Sequence, residues 1–397
     1  MLVARRKNGE LIIVKRELPT KMVQELRKEL LYCPCCNQKV ILKFGTVKIP
    51  HFSHIAHAEC RAASESETQL HLEGKWQLYE WLKRQQLNPQ LEYFLPTTHQ
   101  RSDLFFEKDD RKYAIEFQCS VIPKEEVVLR TKKYLEAGIS PIWILSHTFL
   151  KRKNGGEIHL SEFLWTFLTG SLEAPHLFFF SPETQLLTKL QNPYSFSSRV
   201  IFPLITSKSI GPILWTDLFK ETKVQSSAYI KPWLKKKEHW KRCAHLSAGS
   251  HHTFFNSMYL SGLSPSTLPN EIGIPVQYGY LIETPPIQWQ FWIWYDVLRK
   301  KETGSYFSLL ELKKAVMNRV EKGDIKLRNL PFMLPQDVMR PVEEYFSLLA
   351  GLGVIQRLTQ HKHQVLKKLS PSTILNEEEQ KMFHETLKHV ILKHIKT

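Results

Sequence analysis

Two acidic residues in a strand-rich stretch carry the most chemistry in this chain. Asp103 follows Arg101-Ser102, and Glu116 stands inside Tyr113-Ala114-Ile115-Glu116-Phe117-Gln118, beyond a polar turn at 108–111. Strand alternation puts Ala114, Glu116 and Gln118 on one face and Ile115, Phe117 and Cys119 on the other, so one face is expected to be core and the other chemistry. A glutamate between Ile115 and Phe117 is costly to half-bury without a partner, and Asp103 on the neighbouring strand could share a divalent cation with it. Two such carboxylates, with a polar residue two positions after the second, are the minimal set for metal-assisted phosphodiester hydrolysis. Mg²⁺ or Mn²⁺ would lower the pKa of a bound water, and Gln118 would orient it. The reading requires both carboxylates to converge on one ion; a Glu116 turned inward and ion-paired there would end it.

Other residues fall into place around this pair. Glu67, His71 and Lys75 are spaced i, i+4, i+8 and line one helix face, where a carboxylate could add a metal ligand and a base or cation could reach phosphate. Ser120 could hydrogen-bond phosphate, Arg130 and Tyr134 share a face of the following helix, and Arg101 joins them as a candidate DNA contact. A second cluster precedes these. Cys33-Pro34-Cys35-Cys36 contains a C-x2-C knuckle, and a hairpin-like stretch at 40–49, with Gly45 at its turn, leads to His51-Phe52-Ser53-His54. That is the layout of a zinc ribbon. The second ligand pair comes from His51, His54, His57 and Cys60, whose spacing does not choose among them; four of Cys33, Cys36, His51, His54 and Cys60 are the expected ligands. Four protein ligands leave no open position for water, so this Zn²⁺ is expected to be structural.

The elements that must position these residues are legible. Segments 2–6 and 11–15 flank Asn8-Gly9, the preferred pair for a tight hairpin, and helical spacing follows to about residue 31. A helix over 66–86, strands at 90–95, 103–107, 112–119 and 141–145, and a helix at 124–137 read as a compact unit with a mixed sheet. A helix near 160–169 and strands near 176–180 and 199–205 follow. Lys235, Lys236, Lys237, Lys241 and Arg242 interleave with Trp233 and Trp240; this run could bind phosphates and stack a base, but the favoured expectation is a solvated helix face over buried tryptophans. Residues 244–397 read as mainly helical, and a helix at 342–349 followed by Gly351-Leu352-Gly353-Val354-Ile355 and a basic strand has the order of a winged helix. The fold class is therefore α+β or α/β and multidomain: a zinc-ribbon-like β module (1–62), a nuclease-type domain (63–215) and a mainly helical region (216–397).

Composition sets the partner. The chain has 397 residues, more than one core usually spans, with 42% hydrophobic residues. Its 55 Lys+Arg against 39 Asp+Glu give a formal charge of +16, which attracts a polyanion, and nucleic acid is the first to consider. No apolar stretch is long enough for a signal peptide or a membrane span, so a cytoplasmic protein without membrane insertion is expected. Four of six cysteines fall within 33–60, which suggests metal rather than a secreted disulfide framework.

The pair Asp103 and Glu116 resembles the PD-(D/E)XK nuclease motif, with Gln118 where the usual lysine would stand. Cys-Pro-x-Cys at 33–36, His-Phe-Ser-His at 51–54, Glu67-x3-His71-x3-Lys75, Arg-Ser-Asp at 101–103, Ile-Glu-Phe-Gln-Cys-Ser at 115–120 and Ile142-Trp143-Ile144-Leu145 together resemble the competence protein CoiA family. The resemblance covers the first 150 residues well and is looser to about 210. It implies a zinc-ribbon-like N-terminus, a PD-(D/E)XK-type domain and a helical C-terminal region. It also implies a role in natural transformation, handling incoming single-stranded DNA alongside recombination proteins. The leading expectation is a metal-dependent deoxyribonuclease. A non-catalytic single-stranded-DNA-binding adaptor, favoured by Gln118, and a restriction or repair endonuclease are the alternatives.

Overall fold

A computed structural model describes all residues except 15–17, 46–48, 56–59, 61–66, 154, 221–227, 248–252, 334–336, 373–376 and 397. The chain forms two compact units, one of Met1–Leu150, Leu177–Lys189 and Thr206–Lys220, the other of Lys151–His176, Leu190–Ile205 and Glu221–Thr397.

In the first unit, strands β1 (Val3–Arg6) and β2 (Leu11–Ile13) form the expected hairpin, with Gly9 at φ +91° in its turn. Helix α1 (Thr20–Lys28) buries Val23 and Leu26. Strands β3 (Leu31–Tyr32), β4 (Lys39–Lys43) and β5 (His51–His54) complete an antiparallel sheet in the order β2-β1-β3-β4-β5. Helix α2 (Gln69–Arg84) is capped by Thr68, whose hydroxyl accepts the His71 N–H at 3.2 Å. Its Leu72, Leu78, Trp81 and Leu82 enter one core with Ile115 and Phe117. Gly74 lets the helix lie close, because a Cβ there would sit 2.0 Å from the Phe117 ring.

The expected strand at 90–95 is two short ones, β6 (Gln90–Leu91) and β7 (Phe94–Leu95), parted by Glu92 at φ +52°. Then come β8 (Gln100–Arg101), β9 (Leu104–Lys108), β10 (Arg111–Gln118), α3 (Lys124–Glu136) and β11 (Ile139–Ser146). β9 runs antiparallel to β10, with Phe105 opposite Ala114, and β11 parallel to it, with Glu116 opposite Trp143. A parallel pair needs a crossover, and α3 supplies it. Ala114 consequently packs with Leu95, Phe105, Tyr134 and Ile139, and both faces of β10 are covered. The expectation that one face of this strand stays open for chemistry is corrected here: an all-antiparallel hairpin could leave a face wet, but a β-α-β unit does not.

The chain continues through β12 (Lys151–Arg152), β13 (Ile158–His159), the short helix α4 (Glu162–Trp165), β14 (His176–Ser181), β15 (Leu186–Ser195) and β16 (Val200–Ser209). In the first unit β14 pairs in parallel with β11, Ile144 opposite Phe178. In the second, β13 pairs with β12 and with β16, Ile158 opposite Ile201.

The second unit is built mainly from α5 (Ile230–Ser247), α6 (Thr253–Leu260) and α7 (Pro286–Ile293), which continues into a π-helical turn at Trp294–Leu298. An aromatic core of Phe254, Trp289, Phe291, Trp292 and Tyr345 holds them. On α5 the solvated face that the lysine run suggested is only partly there. Lys235 and Arg242 are exposed, but Lys237 and Lys241 fall on the stripe of buried Trp233 and are each 1% exposed. Lys237 Nζ donates to the Asn270 carbonyl at 2.6 Å, and Lys241 Nζ to Ser372 Oγ at 2.6 Å and Asn270 Oδ1 at 3.2 Å. Burial, with Lys241 adding to it, pushes Lys237 down to about 7. Beyond these helices come β17 (Tyr306–Ser308), α8 (Leu309–Glu321), α9 (Met339–Gly351), β18 (Ile355–Arg357), β19 (Lys362–Val365) and α10 (Glu377–Lys396). Their three strands form an antiparallel sheet in the order β17-β19-β18.

Candidate nucleic-acid site and metal centre

Asp103 and Glu116 lie in one buried neighbourhood, each with its own partners. Asp103 Oδ2 accepts the Phe117 N–H at 2.8 Å and lies 3.1 Å from His71 Nε2. Burial opposes its ionisation, but His71, Lys75 and the Phe117 N–H outweigh it and bring the Asp103 carboxyl down to about 2. Glu116 points under α3. Its Oε1 accepts the Tyr134 hydroxyl and pairs with Arg130 Nη2 at 2.7 Å, with 5% of the side chain exposed. Burial, helped by the charge of Asp103, outweighs Arg130 and Tyr134 and raises the Glu116 carboxyl above its ordinary value. Tyr134 is itself fully buried, so its hydroxyl serves Glu116 rather than solvent.

Of the expected helix stripe, His71 and Lys75 lie on α2, whereas Glu67 precedes its cap Thr68 and is not helical; the three side chains nevertheless turn inward. Lys75 is fully buried and pairs with Glu92 at 2.5 Å and Glu67 at 2.9 Å. Burial would lower the Lys75 amine, yet those two carboxylates raise it above the usual lysine range, which keeps it charged and out of reach of a phosphate. Glu67 Oε1 accepts Arg101 Nη2 at 2.8 Å, so Arg101 too is committed within the protein. Sequence reasoning missed Glu92. Its carboxylate takes the Leu2 and Val3 N–H groups at 2.9 and 3.1 Å as well as Lys75. The signal was available, since an acid inside the apolar stretch 91–95 poses the same desolvation problem as Glu116.

Gln118 Nε2 donates to the Ser120 carbonyl at 2.7 Å. Ser120 and Arg130 are partly exposed, Arg130 by 29% of its side chain. As these side chains stand, the acidic pair does not fit Mg²⁺ or Mn²⁺. Glu116 is taken by Arg130 and Tyr134, and Asp103 Oδ2 by His71 and a backbone N–H. This is the inward, ion-paired Glu116 that the hydrolytic reading could not accommodate.

The cysteine cluster differs. The ligand atoms of Cys33, Cys36, His54 and Cys60 lie within 4.8 Å of one another, the one such group of three or more His, Cys, Asp or Glu among the described residues. Three thiols and an imidazole fit a closed, tetrahedral zinc site. The Cys35 thiol, with the Cys36 and Cys35 N–H groups, outweighs burial and holds the Cys33 thiol at about 4, so it is a thiolate, the form that binds metal. His51 faces elsewhere, its Nδ1 2.9 Å from the Ile49 carbonyl. On strand β5 residues three apart point to opposite sides, so His54 joins the thiols and His51 does not. His57 lies outside the described residues.

Comparison with known proteins gives this geometry its context. Residues 16–63, 67–223 and 225–379 match, in turn, the families described as "Competence protein CoiA, N-terminal domain", "Competence protein CoiA, nuclease-like domain" and "Competence protein CoiA, C-terminal domain". The chain is 30% identical over 348 residues to "Competence protein CoiA" of Bacillus subtilis (strain 168), a match covering 86% of this chain and 91% of that protein. No solved structure is significantly similar. Matched along nearly its whole length, the chain belongs to the competence protein CoiA family.

Proposed function

We propose that this chain handles incoming DNA during natural transformation, binding single strands with its nuclease-like domain rather than cutting them, in the cytoplasm and alongside recombination proteins. The observation that carries the reading is the buried pair of Glu116 with Arg130, closed by Tyr134 beneath α3. It commits Glu116 to the protein and leaves one carboxylate, Asp103, for a metal where hydrolysis would need two. Gln118, tied to Ser120 in the position a lysine would take, points the same way. Partly exposed Arg130 and Ser120, and the net charge of +16, supply the attraction for phosphate. The Cys/His cluster would hold Zn²⁺ to stabilise the N-terminal sheet.

The test is a labelled 30-nucleotide single strand incubated with the zinc-loaded full chain. Salt-sensitive binding is expected, with the strand intact in Mg²⁺ or Mn²⁺ and binding retained in Asp103→Asn and Glu116→Gln. Fragments that require Mn²⁺ and vanish in both variants would overturn the proposal in favour of a metal-dependent deoxyribonuclease. One observation favours that second reading: Asp103 is fully ionised beside Glu116, and Arg130 is exposed enough to swing away.

A further inference from the structure

We infer that the C-terminal part of the second unit is a winged helix that grips the phosphate backbone of duplex DNA through the turn between β18 and β19. The chain order α7, β17, α8, α9, β18, β19, with β19 central in the sheet, is that of winged-helix domains, in which the last helix before the hairpin and the hairpin turn face a double helix. The helix at 342–349 with residues 351–355 and the basic strand after it, which have this order in the sequence, are α9, β18 and β19.

Charge selects the partner. Residues 356–362, the turn with the strand ends that flank it, are exposed and include Arg357, His361 and Lys362. From Tyr345 to Asn376 the sequence has Arg357, Lys362, Lys367 and Lys368 and no Asp or Glu. Lys362 Nζ lies 4.2 Å from the centre of the exposed Tyr306 ring, which steadies a long side chain in an otherwise solvated turn. A groove of about 820 Å³ is bordered by Arg340, Glu343 and Ser347 of α9, by Glu173, which pairs with Arg340 at 3.4 Å, and by Arg357 and Gln360 at the hairpin, so the free positive charge lies on the hairpin side. Glu344, also at its wall, is occupied by the Gln277 and Tyr278 N–H groups. On the exposed side of α9, Arg340, Glu343 and Ser347 offer one base, one acid and one hydroxyl, a poor set for reading base edges. Backbone contact without sequence preference follows.

This goes beyond the reading of the nuclease-like domain and uses none of its residues. The test is fluorescence anisotropy of the full chain with a labelled 24-base-pair duplex and, separately, the matching single strand, across a KCl series. The variants are Arg357→Ala/Lys362→Ala and, as a charge-matched control on an exposed part of α5, Lys235→Ala/Arg242→Ala. All four side chains are exposed, and circular dichroism verifies folding. Wild type should bind the duplex. The turn variant should lose about tenfold or more at low salt and flatten the log–log salt slope by roughly 2, one unit for each phosphate contact removed, while keeping its affinity for the single strand. The control should keep most of both. If wild type ignores the duplex, or the turn variant matches the control, the inference is overturned and the surface is left to protein partners. Loss of single-strand binding by wild type would sink the other proposal and leave this one standing.

Discussion

Glu116 and Lys237 are both charged groups taken out of water, and they differ in what answers the desolvation. Glu116 has a cation and a hydroxyl; Lys237 has one carbonyl at 2.6 Å. Arg130→Ala should therefore destabilise the fold by about 2–4 kcal/mol, because it strands a buried carboxylate, and Glu116→Gln in the same chain should recover part of that loss in urea melts. For Lys237 the folded value of about 7 lies below that of an unfolded lysine, near 10.4. Over that window the unfolded chain holds a proton the folded chain lacks, so stability rises with pH from about 7 to 10 and is flat in this respect below. Lys237→Met should remove that slope and stabilise the protein at pH 7 by about 1 kcal/mol or more, measured by urea titration at pH 7 and pH 9. Equal pH dependence in both proteins would show the amine is charged and solvated.

Elements explain which of these residues were legible in advance. Alternation identified β10 and placed Glu116 beside Asp103, since period two is a local property. Which face α3 covers is not local: it follows from β11 lying parallel to β10, which a single strand's sequence does not state. The second pair of candidate metal ligands is ambiguous in the sequence for a similar reason. A three-residue spacing means neighbours on a helix and opposite sides on a strand, and residues 51–54 are a strand. The approach of α2 to β10 gives a sharper test. Gly74→Ala would normally strengthen a helix by about 1 kcal/mol, but here its methyl meets the Phe117 ring at 2.0 Å. A net loss of about 2 kcal/mol is expected, with partial rescue by Phe117→Leu. At the metal cluster, Cys36→Ser should abolish one equivalent of bound zinc, read by elemental analysis, and lower the Tm.

For the whole molecule, chain order and compact units do not coincide. The matched C-terminal domain begins at residue 225, yet the second unit also contains Lys151–His176 and Leu190–Ile205. Arg328 sits 3.8 Å over the Trp165 ring and donates to the Ser198 and Tyr280 carbonyls at 3.0 Å, and the Tyr280 hydroxyl donates to the Leu172 carbonyl at 3.0 Å. A fragment of residues 225–397 should accordingly unfold at lower urea than the same residues within the full chain. Sequence periodicity found the helices of this unit; it could not show that earlier strands complete their core.

Glu92, within the region matched to the nuclease-like domain, also holds the first residues of the chain. One of its carboxylate oxygens takes the Leu2 and Val3 N–H groups, and the other takes the Lys75 amine, which lies 3.8 Å from Asp103. Stripping metal from the thiols should then be felt beyond the small sheet: amide hydrogens of Leu2, Val3 and Phe117 should exchange faster together. By reciprocity, any ligand that tightens the neighbourhood of Asp103 should make the metal harder to chelate.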